Sequence, residues 1–191
     1  MSPAAGAALF ALVVLVVILG FLVIVTWNAI VALRNRIAKA WANIDVALRQ
    51  RHDELPNLVE AVRGVMAFER DVLEGVARAR AAYDAGAPIP EQARTSEATS
   101  TAIRSLFAVV ERYPDVKSAA NVSALQAEIA RLENVISDRR ELYNDQVYRY
   151  NTRIAQLPAN VLAALLGWAP MPFFAVDDAD RDAPSVELRP A

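Results

Sequence analysis

Apolar residues recur at steps of three and four along the chain, and nowhere do they alternate singly as in a half-buried strand. The pattern therefore predicts helices throughout. Its first run is apolar on every side: Ala7 to Trp27 reads AALFALVVLVVILGFLVIVTW, interrupted only by Gly20. A helix of that length spans roughly 30 Å, the thickness of a bilayer's hydrocarbon core, and Trp27 stands where an indole favours the interface. No Lys or Arg precedes the run and no small-residue cleavage site follows it, so a retained transmembrane helix is favoured over a cleaved signal. Arg34, Arg36, Lys39 and Arg49 follow the span. The positive-inside rule then places the short N-terminus outside and the bulk of the chain in the cytoplasm.

Beyond the span, Trp41, Ile44, Leu48, Leu55, Leu58, Val62, Val65, Val72, Val76, Ala79 and Tyr83 form one stripe. Pro56, followed by Asn57, interrupts it and predicts a bend, with one helix running from the membrane to about His52 and another to about Asp84. Residues 84–97, DAGAPIPEQARTSE, read as a loop. A shorter helix is expected to Arg112, where Tyr113-Pro114 breaks it. The longest soluble stripe is Val122, Leu125, Ile129, Leu132, Ile136, Tyr143, Val147, Tyr150, Ile154 and Leu157, predicting a helix from about Val116 to Leu157. Its spacing stutters between Ile136 and Val147, where Arg139 takes a seam position. Pro158 ends that helix, and PANVLAALLGW predicts a short final helix stopped by Gly167. An acidic, proline-containing tail follows from Asp177.

Hydrophobic residues make up 55 % of the chain, but none of the first 33 residues is charged. The remainder is charge-rich and slightly acidic, with 20 Lys+Arg against 22 Asp+Glu, which argues against a nucleic-acid partner. No cysteine is present, so thiol chemistry and disulfides are excluded. The one histidine, His52, lies among Arg51, Asp53 and Glu54 with no nucleophile motif nearby, and reads as a solvated surface residue. No Gly-rich phosphate loop or H-E-x-x-H spacing occurs, and one histidine cannot furnish a carboxylate-bridged metal site. No catalytic residue, metal, cofactor or small-molecule substrate is expected.

The candidate functional groups form instead a polar layer. Glu69 occupies an apolar position of its stripe and Glu133 sits at the seam edge; a carboxylate there is costly unless paired, and Arg80 and Arg140 are the natural partners by charge. In ENVISDRRELYNDQVYRYN, residues 133–151, the pairs Tyr143-Asn144 and Tyr150-Asn151 stand two helical turns apart, with Glu133, Asn134 and Arg140 just upstream. Such residues either fix helix register within the fold or form an interface. The internal role is favoured, with the strip paired to Glu69 and Arg80 on a neighbouring helix.

These residues also carry a resemblance. The runs RHDELPNLVEAV (51–62), FERDVLEGVARAR (68–80), ERYPDVKSAANVSALQ (111–126), ENVISDRRELYNDQVYRYN and LPANVLAALLGW (157–168) resemble the LemA family of bacterial membrane-anchored helical proteins. Ala67 and Phe68 depart from the Tyr and His often found before the glutamate in that family, which weakens any metal site near Glu69. The resemblance implies an all-α fold, an antiparallel bundle of three to four long helices on one N-terminal transmembrane helix. It implies no enzyme activity, and suggests that some members organise membranes. The expected organisation is a short segment at 1–6, the span at 7–27, a LemA-like bundle at 28–168 and a tail at 169–191. The expected function is a non-enzymatic scaffold that contacts the lipid bilayer and self-associates or recruits membrane proteins. The alternative is a signalling or envelope-stress adaptor that regulates a membrane protease or other membrane enzyme.

Overall fold

The computed structural model describes residues 3–63, 69–117 and 119–175. Six α-helices and no strand occur among the described residues: α1 (Pro3–Arg63), α2 (Arg70–Ala81), α3 (Ile89–Val110), α4 (Pro114–Lys117), α5 (Ala120–Ala155) and α6 (Ala159–Leu166). Val65, Ala67, Phe68 and the tail from Asp177 lie outside the described residues.

Helix α1 differs from expectation. It does not stop near His52 but continues through Pro56 to Arg63. Proline removes the one backbone bond its N–H would donate to the carbonyl four residues earlier and its ring crowds that carbonyl, a cost of about 3 kcal/mol. Leu55, Leu58 and Val62 are buried on one face around it, and burying a Leu or Val side chain contributes about 1.5–3 kcal/mol. That packing is enough to carry the helix across the defect.

The loop expected over 84–97 is also shorter, because α3 begins at Ile89 with a proline in its first turn. The first N–H groups of a helix have no intrahelical partner, so a proline there loses nothing, and its fixed φ suits the helix. What remains of the loop is tied locally. Gly86 N–H donates to Asp84 Oδ1 at 2.8 Å, and Gln92 Nε2 donates to the carbonyls of Ala87 and Ala85 at 2.8 and 3.1 Å. The final helix ends as predicted, at Gly167 in the left-handed conformation, with φ 66°.

The chain divides into two compact units, Met1–Ala42 with Glu141–Pro172, and Asn43–Arg140 with Phe173–Ala191. Both α1 and α5 contribute residues to each. In the second unit, α1 and α5 run antiparallel: Arg139 meets Asn43, and Arg51 meets Glu133. The core of that unit joins Leu55, Leu58 and Val62 of α1, Val76 of α2, Ile103, Leu106 and Val110 of α3, and Val122 and Ile129 of α5. In the first unit, Ile30, Ile37, Tyr143, Val147 and Tyr150 are buried. There Trp41 meets Tyr143 edge-on, with ring centroids 5.8 Å apart. Residues 7–27 of α1 are the apolar run, and they sit within the one helix long and apolar enough to cross a membrane among the described residues.

Candidate functional site: a buried ion network and a tyrosine–asparagine clamp

The polar layer separates into distinct groupings. In the second unit the centre is Arg51, a side chain only 4 % exposed. Its Nη1 donates to Glu133 Oε1 at 2.6 Å and to Ser100 Oγ at 2.9 Å, and its Nη2 donates to Ser96 Oγ at 3.0 Å. Ser100 Oγ donates in turn to Glu133 Oε2 at 2.6 Å. Both carboxylate oxygens of Glu133 are therefore engaged, and three helices meet at one guanidinium. A buried charge is tolerable only when paired and hydrogen-bonded, which this network achieves.

Glu133 thus pairs with Arg51, not with Arg80 or Arg140. Arg51 is the residue the stripe reading passed over. It falls in phase with Ile44, Leu48, Leu55 and Leu58, at steps of four, three, four and three. A second signal lies in α3, where Ser96 and Ser100 stand four apart on its buried face. Small hydroxyls on an inner face, opposite an arginine in apolar phase, would have identified the network.

Glu69 is not in mid-stripe either. It precedes the first turn of α2 and accepts from Arg112 Nη2 at 3.2 Å and from the Tyr113 hydroxyl at 3.3 Å. Arg80 is exposed on α2, beside an apolar cleft lined by Leu55, Pro56, Val59 and Val76. Arg139, at the stuttered seam position, donates to the Asn43 carbonyl at 2.6 Å. Asn134 is exposed. His52 is half-buried rather than solvated, its ring 4.9 Å from that of Tyr83 and its Nδ1 buried without a partner among the described residues. Burial, together with the negative charge of Asp45, raises the Tyr83 pKa above the ordinary phenol value.

Beside the ion network lies a polar cavity of about 160 Å³, lined by Ser96, Glu97, Ser100, Arg104, Glu133, Ser137, Arg140 and Phe174 among others. Arg104 is committed to Glu97 and Thr101. Arg140 makes no ion pair among the described residues. Those residues contain no cluster of His, Asp or Glu able to hold a metal ion.

The Tyr-Asn strip acts in the first unit, where its Tyr143, Tyr150 and Asn151 bond a non-helical segment. It grips the extended backbone after α6. Tyr143 OH donates to the Pro172 carbonyl at 3.0 Å and Tyr150 OH to the Ala169 carbonyl at 3.3 Å. Asn151 uses both ends of its amide: Nδ2 donates to the Met171 carbonyl at 3.0 Å, and Oδ1 accepts from Met171 N–H at 2.8 Å. The need follows from the sequence of the gripped segment, Ala-Pro-Met-Pro, whose two prolines exclude it from any regular hydrogen-bonded element. Its carbonyls require donors from elsewhere, and two phenols seven residues apart on one face of α5 supply them. Residues 169–172, assigned to the tail on sequence, are in this way attached to α5.

Burial pushes the Tyr143 hydroxyl up to about 12. A phenol raised from its unfolded value near 10 holds its proton in the folded state while the unfolded chain ionises. Stability is therefore expected to be flat below pH 10 in this respect, and to fall as pH rises from there towards 12. Tyrosinate absorbance of the folded chain should show a component titrating well above the ordinary phenol value near 10, and Tyr143→Phe should remove the part of it near pH 12. Its survival in the variant would refute the assignment.

Among known proteins, the profile described as the LemA family matches residues 40–188. Over 73 residues the chain is 34% identical to Magnetosome protein MamQ 2 and to Magnetosome protein MamQ 1 of Paramagnetospirillum magneticum, and 32% identical to Magnetosome protein MamQ of Magnetospirillum gryphiswaldense. Each of these alignments covers 38% of this chain and only 27% of the relative.

Proposed function

This chain belongs to the LemA family, and we propose that it is a non-enzymatic scaffold, held in the bacterial inner membrane by its N-terminal span, that self-associates or recruits membrane proteins. The observation that carries the reading is the continuity of α1, which runs without a break from the uncharged span to Arg63. Any partner gripping the helices is then tied to the membrane through an unbroken element. The polar groups of the layer are mostly spent on internal bonds, which favours a structural role for them over a chemical one. The partial likeness to the magnetosome proteins supports a membrane-associated helical protein. The basic residues Arg34, Arg36 and Lys39 after the span favour a cytoplasmic location for the helices that follow.

The test is crosslinking in native membranes of the full chain carrying a phosphatase after Ala191. A ladder of chain multiples, or a reproducible set of membrane-protein partners, is expected, with the phosphatase silent. A strictly monomeric chain with no captured partner would overturn the scaffold. A single stoichiometric enzyme partner would make the protein an adaptor instead. Strong phosphatase activity would reverse the orientation.

A further inference from the structure

From Ile154 to Val176 the chain contains no Asp, Glu, Lys, Arg or His, although Arg153 and Asp177 flank the segment. Helix α6 lies within it, and its apolar side chains do not all turn inward. Ala159 and Ala163 are buried, while Val161 is 61 % exposed and Leu165 80 % exposed, and Leu157, 74 % exposed just before the helix, continues their spacing of four. Leu157 closes the long apolar stripe of the sequence, but α5 ends at Ala155, so its side chain leaves that seam for solvent. The unit therefore presents an uncharged, leucine-rich face that none of the described residues covers.

Its location indicates what does cover it. Trp168, which follows α6, packs on Trp27 with ring centroids 5.2 Å apart. Trp27 closes the apolar span, at the level where an indole meets the headgroups. The short helix is thus fastened by its end to the boundary of the bilayer. At its C-terminal end, Trp168 N–H donates to the Ala163 carbonyl at 2.9 Å.

We infer that α6 is a second membrane contact, a short helix whose Val161 and Leu165, together with Leu157 just before it, insert into the interfacial region of the same leaflet that Trp27 borders. The inference rests on the reading of residues 7–27 as a membrane span. A second copy of the chain is the lesser fit. An eight-residue helix presents few side chains against the roughly 800 Å² per partner of a stable interface. It also lacks the polar rim of such interfaces. A lipid surface needs no such rim, and interfacial helices bury their apolar face about 5–10 Å deep.

The natural absence of cysteine allows single-cysteine variants of the full chain without a reducing background. Leu165→Cys, Val17→Cys and Ser105→Cys, each labelled with bimane, are reconstituted in phosphatidylethanolamine–phosphatidylglycerol vesicles. The vesicles carry a nitroxide quencher either near the headgroup or deep in the acyl chain. The label at position 165 is expected to lose most of its fluorescence to the shallow quencher and little to aqueous iodide. Position 17 should respond to the deep quencher, and position 105 to iodide alone. If position 165 behaves like position 105 while position 17 is quenched by lipid, the α6 contact is wrong and the anchor stands. Shielding of position 165 from both lipid and iodide means protein covers the face, which also overturns the contact. Failure of lipid quenching at position 17 removes the anchor itself and the inference with it.

Discussion

Glu133→Ala is expected to destabilise the full chain in detergent by about 3–5 kcal/mol, the cost of stranding a buried charge by removing its partner. The deletion leaves the Arg51 guanidinium, 4 % exposed, with only serine hydroxyls and a carbonyl as acceptors. Glu133 is itself 26 % exposed, which pulls the expectation towards the lower end of that range. The double variant Arg51→Met/Glu133→Leu should recover most of the loss, because a packed apolar pair replaces an ion pair at little net cost. The serines tolerate the exchange, since Ser100 Oγ also bonds the Ser96 carbonyl at 3.1 Å. Denaturant midpoints read the effect, with an unchanged slope marking a loss of stability and not of compactness. If Glu133→Ala unfolds with the parent, water rather than the carboxylate satisfies Arg51. If the double variant is as weak as the single, the serines depend on the charges more than the geometry implies.

The second large effect is expected at Asn151. Asn151→Leu keeps the volume and removes both halves of the amide pair with Met171, leaving one backbone N–H and one carbonyl without partners. Unsatisfied groups of that kind cost about 1–3 kcal/mol each where they stay buried. A total near 2–4 kcal/mol is expected, less if the segment after α6 detaches to reach water. Detachment has its own signature: the Met171 amide should exchange hydrogen orders of magnitude faster while amides in the middle of α5 stay protected. Asn151→Asp separates the two halves, since a carboxylate still accepts from Met171 N–H but cannot donate to its carbonyl. Unchanged exchange at Met171 in Asn151→Leu would show that the two tyrosines alone hold the segment.

The helices and their inner faces were legible because burial imposes a period, and the period survives in the order of residues. Ile44, Leu48, Leu55, Leu58 and Val62 are both the sequence stripe and buried core residues. The apolar run of the span and the Gly167 stop were legible for the same local reasons. Prolines misled in both directions. Pro56 was read as separating two helices near His52, but a helix supported by packing on both sides of it carries on to Arg63. The prolines before Gln92 were read as loop, although one lies in a helical first turn, where its missing donor is no loss. Long-range partners were beyond reach, because charge alone cannot say which arginine faces which glutamate. Glu133 had Arg80 and Arg140 as candidates by sign, and geometry gave it Arg51, which the stripe of apolar residues passed over. The tyrosines and asparagines were read as glue paired to Glu69 and Arg80 on a neighbouring helix, whereas Tyr143, Tyr150 and Asn151 bond the segment after α6. Their partner was missed because a helical period contains no information about an irregular strand folding back on it.

The grip on Ala169–Pro172 has a consequence for length. In the stretch Pro170-Met171-Pro172 only Met171 carries a backbone N–H, and Asn151 takes it. A slip of one residue in either direction would bring a proline nitrogen to the amide oxygen, where no hydrogen is available. The two prolines thus act as teeth on a key with a single notch. An inserted or deleted residue anywhere between Asn151 and Met171 cannot be absorbed by sliding, and must be taken up in the turns on either side of α6.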